Sequence, residues 1–152
     1  PRFVLVPGDL IGARAEVGAR ALVYLRRRRG VSARQFRTLL SRELAPALAA
    51  SGVLTELRSQ TFLPWMKQTW DTPGVAHDNP DSQRFHASLI LGFNSDATRA
   101  AFFGGPETER LSRLLGPSVS AIHAYDVATT LTFVENGAVL VPAGPGTGVD
   151  LK

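Results

Sequence analysis

The most regular pattern of apolar positions predicts an amphipathic helix that begins after Ser32. Apolar residues recur there at three- and four-residue spacing, which places them on one helix face. Ser32 and Gln35 have the spacing of a capping box, in which each side chain accepts a hydrogen bond from the other residue's backbone N–H. Gly52 is typical of the position after a helix, and Pro46 predicts that the last turn is kinked or shortened. The apolar stripe consists of Phe36, Leu39, Leu40, Leu44 and Leu48.

Strict alternation of apolar and more polar residues over Arg84–Phe93 predicts a β-strand. Successive side chains of a strand point to opposite faces of the sheet, so the alternation also assigns each residue to a face. The predicted apolar face carries Phe85, Ala87, Leu89, Leu91 and Phe93, and the opposite face carries His86, Ser88, Ile90 and Gly92.

Five further segments complete the predicted order of elements. The compact apolar run Ala21–Leu25 and the mixed segment Val53–Phe62 are both read as strands. A helix is expected after the polar triplet at Asn94, and another from Pro106, a residue favoured at the first position of a helix. The β-branched stretch 118–134 predicts a long last strand.

The resulting order is strand, helix, strand, strand, helix, strand, which is the order of the α+β ferredoxin-like fold. That fold has a four-stranded antiparallel sheet with both helices on one face. The predicted domain spans residues 21–135. Residues 1–20 are an N-terminal extension with a short strand, in which 12–20 are either helix or irregular, and 136–152 form a C-terminal strand and a loose tail. Because apolar residues on the uncovered sheet face are costly in water, we expect a second copy of the chain to cover it in a homodimer.

Composition restricts the chemistry of this 152-residue chain more than it restricts the fold. Without cysteine, it has no disulfide, no thiol nucleophile and no cysteine-ligated metal. Its net charge of +4 is unevenly distributed, since residues 1–42 hold ten arginines and two acids. No apolar run approaches the roughly 18 residues of a membrane-spanning helix. Residues 1–10 lack the features of a secretory signal, so a cytoplasmic protein is expected.

Three segments resemble the EthD-like proteins of the dimeric α+β barrel superfamily over about residues 21–135. Tyr24–Phe36 resembles their opening strand, basic pair, capped helix start and early Phe. Leu44–Leu48 is similar to their His-x-Pro-Leu segment, with Leu44 where the family commonly has His, and 125–133 looks like their last strand. The resemblance implies a homodimer whose two sheets form a barrel, with a ligand cleft between sheet and helices. It implies no single reaction, because these proteins include enzymes of several classes.

His86 is the candidate catalytic residue, as a general acid or base on a ligand in the cleft. The alternative is a half-buried histidine of structural role. His123 and Tyr125 share one predicted face of the last strand, where they would either polarise a carbonyl or phenol or pack in the dimer interface. Asp126 points the other way, and its expected partner is one of Arg26–Arg29, because an unpaired buried carboxylate is costly.

Aromatic residues of a long loop are the remaining candidates for a ligand pocket or an interface. Trp65, Trp70 and His77 lie in the polar segment Pro64–Asp81, which would serve as a lid over a ligand or as a clasp across the dimer. Tyr24 is a further pocket or interface aromatic. The three histidines have no metal-ligand spacing and no nucleotide-binding motif is present, so we expect no metal and no cofactor.

The sequence thus predicts a dimeric protein that binds a small apolar or aromatic organic molecule. Cofactor-independent oxidation, isomerisation or cyclisation are the reactions considered, and a non-enzymatic dimeric binding or accessory module is the alternative. A lesser alternative is a tautomerase-like enzyme that uses Pro1 as its base. Adjacent arginines at 26–29 would alternate between faces and form no continuous groove, so nucleic acid and membranes are not expected partners.

Overall fold

Four antiparallel strands form the central sheet of the molecule. A computed structural model describes residues 17–63, 80, 83–129, 134–135 and 138–139. The strands are β1 (Ala19–Arg27), β2 (Glu56–Thr61), β3 (Ala87–Phe93) and β4 (Val119–Val127), and two-residue strands β5 (Val134–Glu135) and β6 (Ala138–Val139) pair with each other. The sheet order is β2-β3-β1-β4 with antiparallel pairing throughout. With the helices that connect them, these strands have the ferredoxin-like arrangement, as predicted.

The first connection is a continuous helical segment with a widened middle turn. It comprises α1 (Ala33–Thr38), a π-helical turn (Leu39–Leu44) and α2 (Ala45–Ala50). Both hydrogen bonds of the predicted capping box are present at Ser32 and Gln35. The second connection consists of α3 (Asp96–Gly104) and α4 (Pro106–Leu115), with Ser95 as the N-cap of α3 and Pro106 in the first turn of α4.

Pro46 has a different effect from the predicted kink or shortening of the last turn. The helical path continues to Ala50, and the π-turn lies directly before the proline segment. The Ala45 N–H donates to the Leu40 carbonyl, five residues earlier. Pro46 has no N–H to donate and lies in the first turn of α2, where a missing donor is tolerated. Gly52 follows this helix at a φ of 67°, a left-handed conformation that favours glycine at a helix end.

The hydrophobic core lies between the helices and one face of the sheet. On β1 and β3 every second residue is buried there, so the predicted face is confirmed from Ala87 to Phe93. Phe93 contacts the rings of Phe102 and Phe103 on α3, at centroid distances of 5.4 and 6.2 Å. Phe36, on α1, belongs to the same core. We call this the helix face of the sheet and refer to the opposite side as the open face, where the described residues place no helix.

Candidate functional site

Aromatic side chains cluster on the open face where β1 and β4 pair. Tyr24 lies opposite His123 in the register, and Leu22 lies opposite Tyr125. Alternation along β1 buries its odd-numbered residues on the helix face and leaves Tyr24 on the open face. His123 and Tyr125 are therefore on one face of β4, and both are exposed. Tyr125 is 52% exposed, a large fraction for an aromatic ring.

Tyr24 is at the centre of this cluster. Its ring centroid lies 5.1 Å from Phe85, 6.2 Å from Tyr125 and 6.3 Å from Phe62. Phe85 in turn contacts His123 edge to face at 5.1 Å. Such tilted and edge-to-face pairs are the favoured geometries of aromatic rings. We define the aromatic cluster as Tyr24, Phe62, Phe85, His123 and Tyr125.

The predicted faces of Phe85 and His86 are wrong. Phe85 lies with the open-face rings, and His86 contacts the buried ring of Phe36 on the helix face at 6.2 Å. The register that pairs Leu25 with Ala87 would place His86 opposite Arg26, yet the His86 N–H donates to the Leu25 carbonyl at 2.8 Å. This one-residue slip exchanges the two faces, because side chains alternate with every residue.

His86 takes part in the hydrogen bonding of the strand end through its side chain. Its Nδ1 accepts a hydrogen bond from the Arg27 backbone N–H at 3.2 Å. A nitrogen that accepts carries no proton, so the neutral imidazole holds its proton on Nε2. His86 therefore replaces a backbone carbonyl for Arg27, and it is half-buried beside the start of α1.

A cavity of about 680 Å³ lies next to His86. We call it the arginine pocket; it is lined by residues 26–32, His86 and Ser120. Arg26 lies with its guanidinium carbon 5.2 Å from the Phe85 ring centroid, so this side chain connects the pocket to the aromatic cluster. The Ser120 hydroxyl lies 3.3 Å from the Arg26 carbonyl and 3.4 Å from that of Arg27, within hydrogen-bond distance of both.

A buried ion cluster occupies the opposite end of the open face. Glu56 on β2 and Arg20 on β1 both lie opposite Gly92 of the strand between them. Arg20 Nε donates to Glu56 Oε2 at 2.7 Å, and Arg58 Nε donates to Oε1 at 2.6 Å. Glu56 is only 5% exposed, so its carboxylate is buried between two guanidinium groups. The glycine leaves the space through which Glu56 reaches across β3.

Asp126 does not pair with an arginine of 26–29, which corrects that prediction. Its Oδ2 lies 3.2 Å from Nη2 of Arg99, a residue of α3 that also pairs with Asp96. Asp126 lies opposite Ala21 in the sheet, and therefore on the helix face, where α3 is within reach and the turn after β1 is not. Its carboxylate is 75% exposed, so no desolvation forces a closer pairing.

The structure brings some of the predicted residues together and separates others. Tyr24, His123 and Tyr125 share the aromatic cluster, whereas His86 lines the arginine pocket and Asp126 contacts α3. Phe62 and Phe85 were not predicted as cluster members, because Phe62 was assigned no face and alternation placed Phe85 on the opposite face. The loop residues Trp65, Trp70 and His77 lie outside the described residues.

No protein-family model and no curated protein matches this chain. Solved structures match it in fold. A dimeric ferredoxin-like protein of unknown function from Thermobifida fusca is 16% identical, with a TM-score of 0.51 over 80% of this chain and 98% of that one. A protein from Arabidopsis thaliana is 13% identical, with a TM-score of 0.51 over 76% of this chain and 99% of that one. A hydroxynitrile lyase from Passiflora edulis is 19% identical, with a TM-score of 0.52 over 84% of this chain and 100% of that one. At identities of 13–19%, these similarities show that the chain has the ferredoxin-like fold. The protein from Thermobifida fusca with this fold is dimeric.

Two kinds of feature are absent from the described residues. No three side chains among their His, Asp and Glu residues lie close enough together to hold a metal ion. None of their helices combines the length and the apolar character needed to cross a membrane.

Proposed function

We propose that this chain is an EthD-like protein whose domain, residues 21–135, forms a homodimer through the open faces of two sheets. The observation that carries the proposal is the aromatic cluster, with Tyr125 half exposed on a sheet face that no described helix covers. A second copy would bury these rings and close a barrel. The dimeric ferredoxin-like protein from Thermobifida fusca supports this arrangement, since the same fold dimerises there.

We propose further that the interior of this barrel binds a small apolar or aromatic organic molecule. Ligand sites are mostly apolar and contain a few polar groups that orient the ligand. The aromatic cluster has this composition, because ring faces surround Tyr24 while His123 and the two tyrosine hydroxyls supply hydrogen bonds. Burial against a partner would exclude water from the same surface.

Dimerisation is tested by comparing two residues of β4 that differ mainly in the face they occupy. Tyr125 lies on the open face and Ile122 lies opposite Leu25, a helix-face residue, and the two side chains are 52% and 45% exposed. We expect the wild type and Ile122→Ser to have the mass of a dimer by analytical ultracentrifugation at micromolar concentration, and Tyr125→Ser to shift towards monomer. A monomeric wild type, or equal loss of dimer in both variants, would contradict the proposal.

Ligand binding is tested with the neutral fluorescent probe N-phenyl-1-naphthylamine. We expect its emission to rise with wild type and with Ile122→Ser, and to rise much less with Phe85→Ala, which removes the ring that contacts both Tyr24 and His123. Sedimentation of each variant shows whether the dimer persists. If a dimeric wild type leaves the emission unchanged, the alternative of a dimeric accessory module without a ligand is favoured.

His86 remains the residue we propose for any acid–base chemistry. With Nδ1 engaged by the Arg27 N–H, its neutral ring would donate a hydrogen bond from Nε2, and it would act as a general acid or base only once Nδ1 is released from Arg27. Oxidation, isomerisation and cyclisation remain the proposed reactions. The hydroxynitrile lyase of the same fold is an enzyme, yet a shared fold does not select a reaction. The tautomerase-like alternative depends on Pro1, which lies outside the described residues.

A further inference from the structure

The arginine pocket holds four consecutive cationic side chains without an acidic residue in its lining. Within the described part of the chain, none of Arg26–Arg29 forms an ion pair with a carboxylate. The carboxylate expected to pair with them, that of Asp126, is bound to Arg99. The positive charge of this turn is therefore not neutralised by the described residues.

Two of these side chains are held in place by neutral acceptors. Arg27 Nη1 donates to the Val31 carbonyl at 2.6 Å. Arg28 Nη2 donates to the carbonyls of Gly116 and Val119 at 2.8 and 3.4 Å. A neutral carbonyl accepts one hydrogen bond and does not cancel the positive charge of the guanidinium group. Each guanidinium group has five N–H donors in a fixed planar fork, so further donors remain. The pocket thus contains oriented guanidinium groups whose remaining donors have no acceptor among the described residues.

Arg26 supplies a second, independent indication of a ligand. Its Nε is buried and has no hydrogen-bond partner among the described residues, although the rest of the guanidinium stacks on Phe85. Leaving a charged donor buried and unpaired is unfavourable, and such groups in native proteins usually have a partner. A shift of the Arg26 side chain that turns Nε towards the pocket would let a bound acceptor satisfy it.

We propose that the arginine pocket binds the oxyanion group, carboxylate or phosphate, of a small molecule. Arginine is the side chain best suited to both groups, because its planar fork matches two oxygens at once. The Ser32 hydroxyl in the lining accepts from the Gln35 N–H and has its own proton left to donate, so it adds a neutral donor beside the guanidinium groups. The pocket lies at the end of β1, beyond the aromatic cluster, so anion binding does not depend on whether the cluster holds a ligand.

The test measures binding of two anions, benzoate and inorganic phosphate, by isothermal titration calorimetry at low salt. Arg29→Gln is the informative variant, because Arg29 lines the pocket, is exposed, and forms no side-chain hydrogen bond or ion pair with the described residues. Arg37→Gln is the matched control, since it removes the same charge from an exposed position of α1 outside the pocket. We expect Arg29→Gln to weaken anion binding about tenfold, the loss typical of one charged hydrogen-bonding contact, and Arg37→Gln to leave it within about twofold.

A second variant, Arg26→Gln, keeps the test informative if Arg29 contributes little. It should also weaken binding, and circular dichroism checks that it remains folded. Tighter binding of benzoate than of phosphate would identify a carboxylate ligand, and the reverse order a phosphate. Equal losses of anion affinity in Arg29→Gln and Arg37→Gln would overturn the proposal, because they would indicate non-specific attraction by the positive charge of the protein. It would also be overturned if neither anion binds at millimolar concentration, or if a single-stranded RNA oligomer displaces both.

Discussion

Gly92 is a position at which one added methyl group should disturb the packing of the open face. A Cβ placed there would lie 2.6 Å from the Cβ of Glu56 and 2.9 Å from Cγ1 of Val17. Carbon atoms in good contact are separated by about 3.5–4.0 Å, so both neighbours must move. The Glu56 atom in contact is Cβ, which is bonded directly to the backbone of β2. It cannot move aside as the end of a flexible side chain could. We therefore expect Gly92→Ala to displace Glu56 from its path across β3.

The size of the effect follows from overpacking and from the ion cluster. Overpacking of a dense site typically costs about 1–3 kcal/mol. Arg20 and Arg58 are 28% and 52% exposed, so each ion pair by itself contributes at most about 1 kcal/mol. The Glu56 carboxylate is 6% exposed, and a buried acceptor that loses its donors costs about 1–3 kcal/mol. Because displacement of Glu56 would be partial, we expect Gly92→Ala to lower the free energy of unfolding by about 2–4 kcal/mol in total.

Urea denaturation followed by far-UV circular dichroism measures this change. All variants are compared at one protein concentration, because a dimer's stability depends on it. Gly104→Ala is the matched control: a Cβ at this last residue of α3 meets nothing within 4 Å, and alanine is the better helix former. We expect Gly104→Ala to be neutral or stabilising by up to about 1 kcal/mol.

A double-mutant cycle identifies the steric cause. Glu56→Gly removes the Cβ that the new methyl would meet, so the cost of Gly92→Ala should be smaller in that background. Surface substitutions usually change the free energy of unfolding by no more than about 0.5 kcal/mol. If Gly92→Ala changes it by no more than this, the claim that Glu56 crosses over Gly92 is refuted. Equal costs in both backgrounds would leave the contacts with Val17 and with the Glu56 backbone nitrogen, 3.2 Å away, as the cause.

Two further substitutions test the contacts of the candidate residues. His86→Ala leaves the Arg27 N–H without its acceptor and should lower the free energy of unfolding by about 1–3 kcal/mol, measured by urea denaturation. His86→Asn keeps an acceptor oxygen near the position of Nδ1 and should recover most of this loss. Equal losses in the two variants would contradict the structural role of Nδ1. Asp126→Asn removes an ion pair whose carboxylate is 75% exposed, so it should lower the free energy of unfolding by less than about 1 kcal/mol. A larger loss in Asp126→Asn, without a similar loss in Arg99→Gln, would contradict the pairing of Asp126 with Arg99.

The ferredoxin-like fold could be predicted from local patterns because burial imposes a different period on helices and strands. The capping box at Ser32 and the alternation from Ala87 to Phe93 both depend on residues close in sequence, and both are present in the structure. The π-turn before Pro46 was not predicted. A missing N–H marks where the hydrogen-bond ladder must change but does not determine whether the helix ends, bends or widens.

Site geometry was harder to predict because it depends on contacts between distant segments. The faces of Phe85 and His86 follow from a one-residue slip against β1, and an alternating pattern looks the same on either side of such a slip. The partner of Asp126 depends on how α3 lies over the sheet, which brings Arg99 to the carboxylate. Neither the slip nor the helix position has a signature in neighbouring residues.

The interpretation of the run Arg26–Arg29 depends on which acceptors its side chains bind. The sequence predicts that Asp126 pairs with one of Arg26–Arg29 and so cancels part of the charge of this run. Instead, Arg27 and Arg28 are fixed by backbone carbonyls, which orient the guanidinium groups and leave their charge intact. A solvated arginine would need no such fixation, and an ion pair would cancel the charge. Oriented and uncancelled guanidinium groups around one cavity, with Arg26 Nε buried and unpaired among the described residues, are the arrangement that an oxyanion would complete.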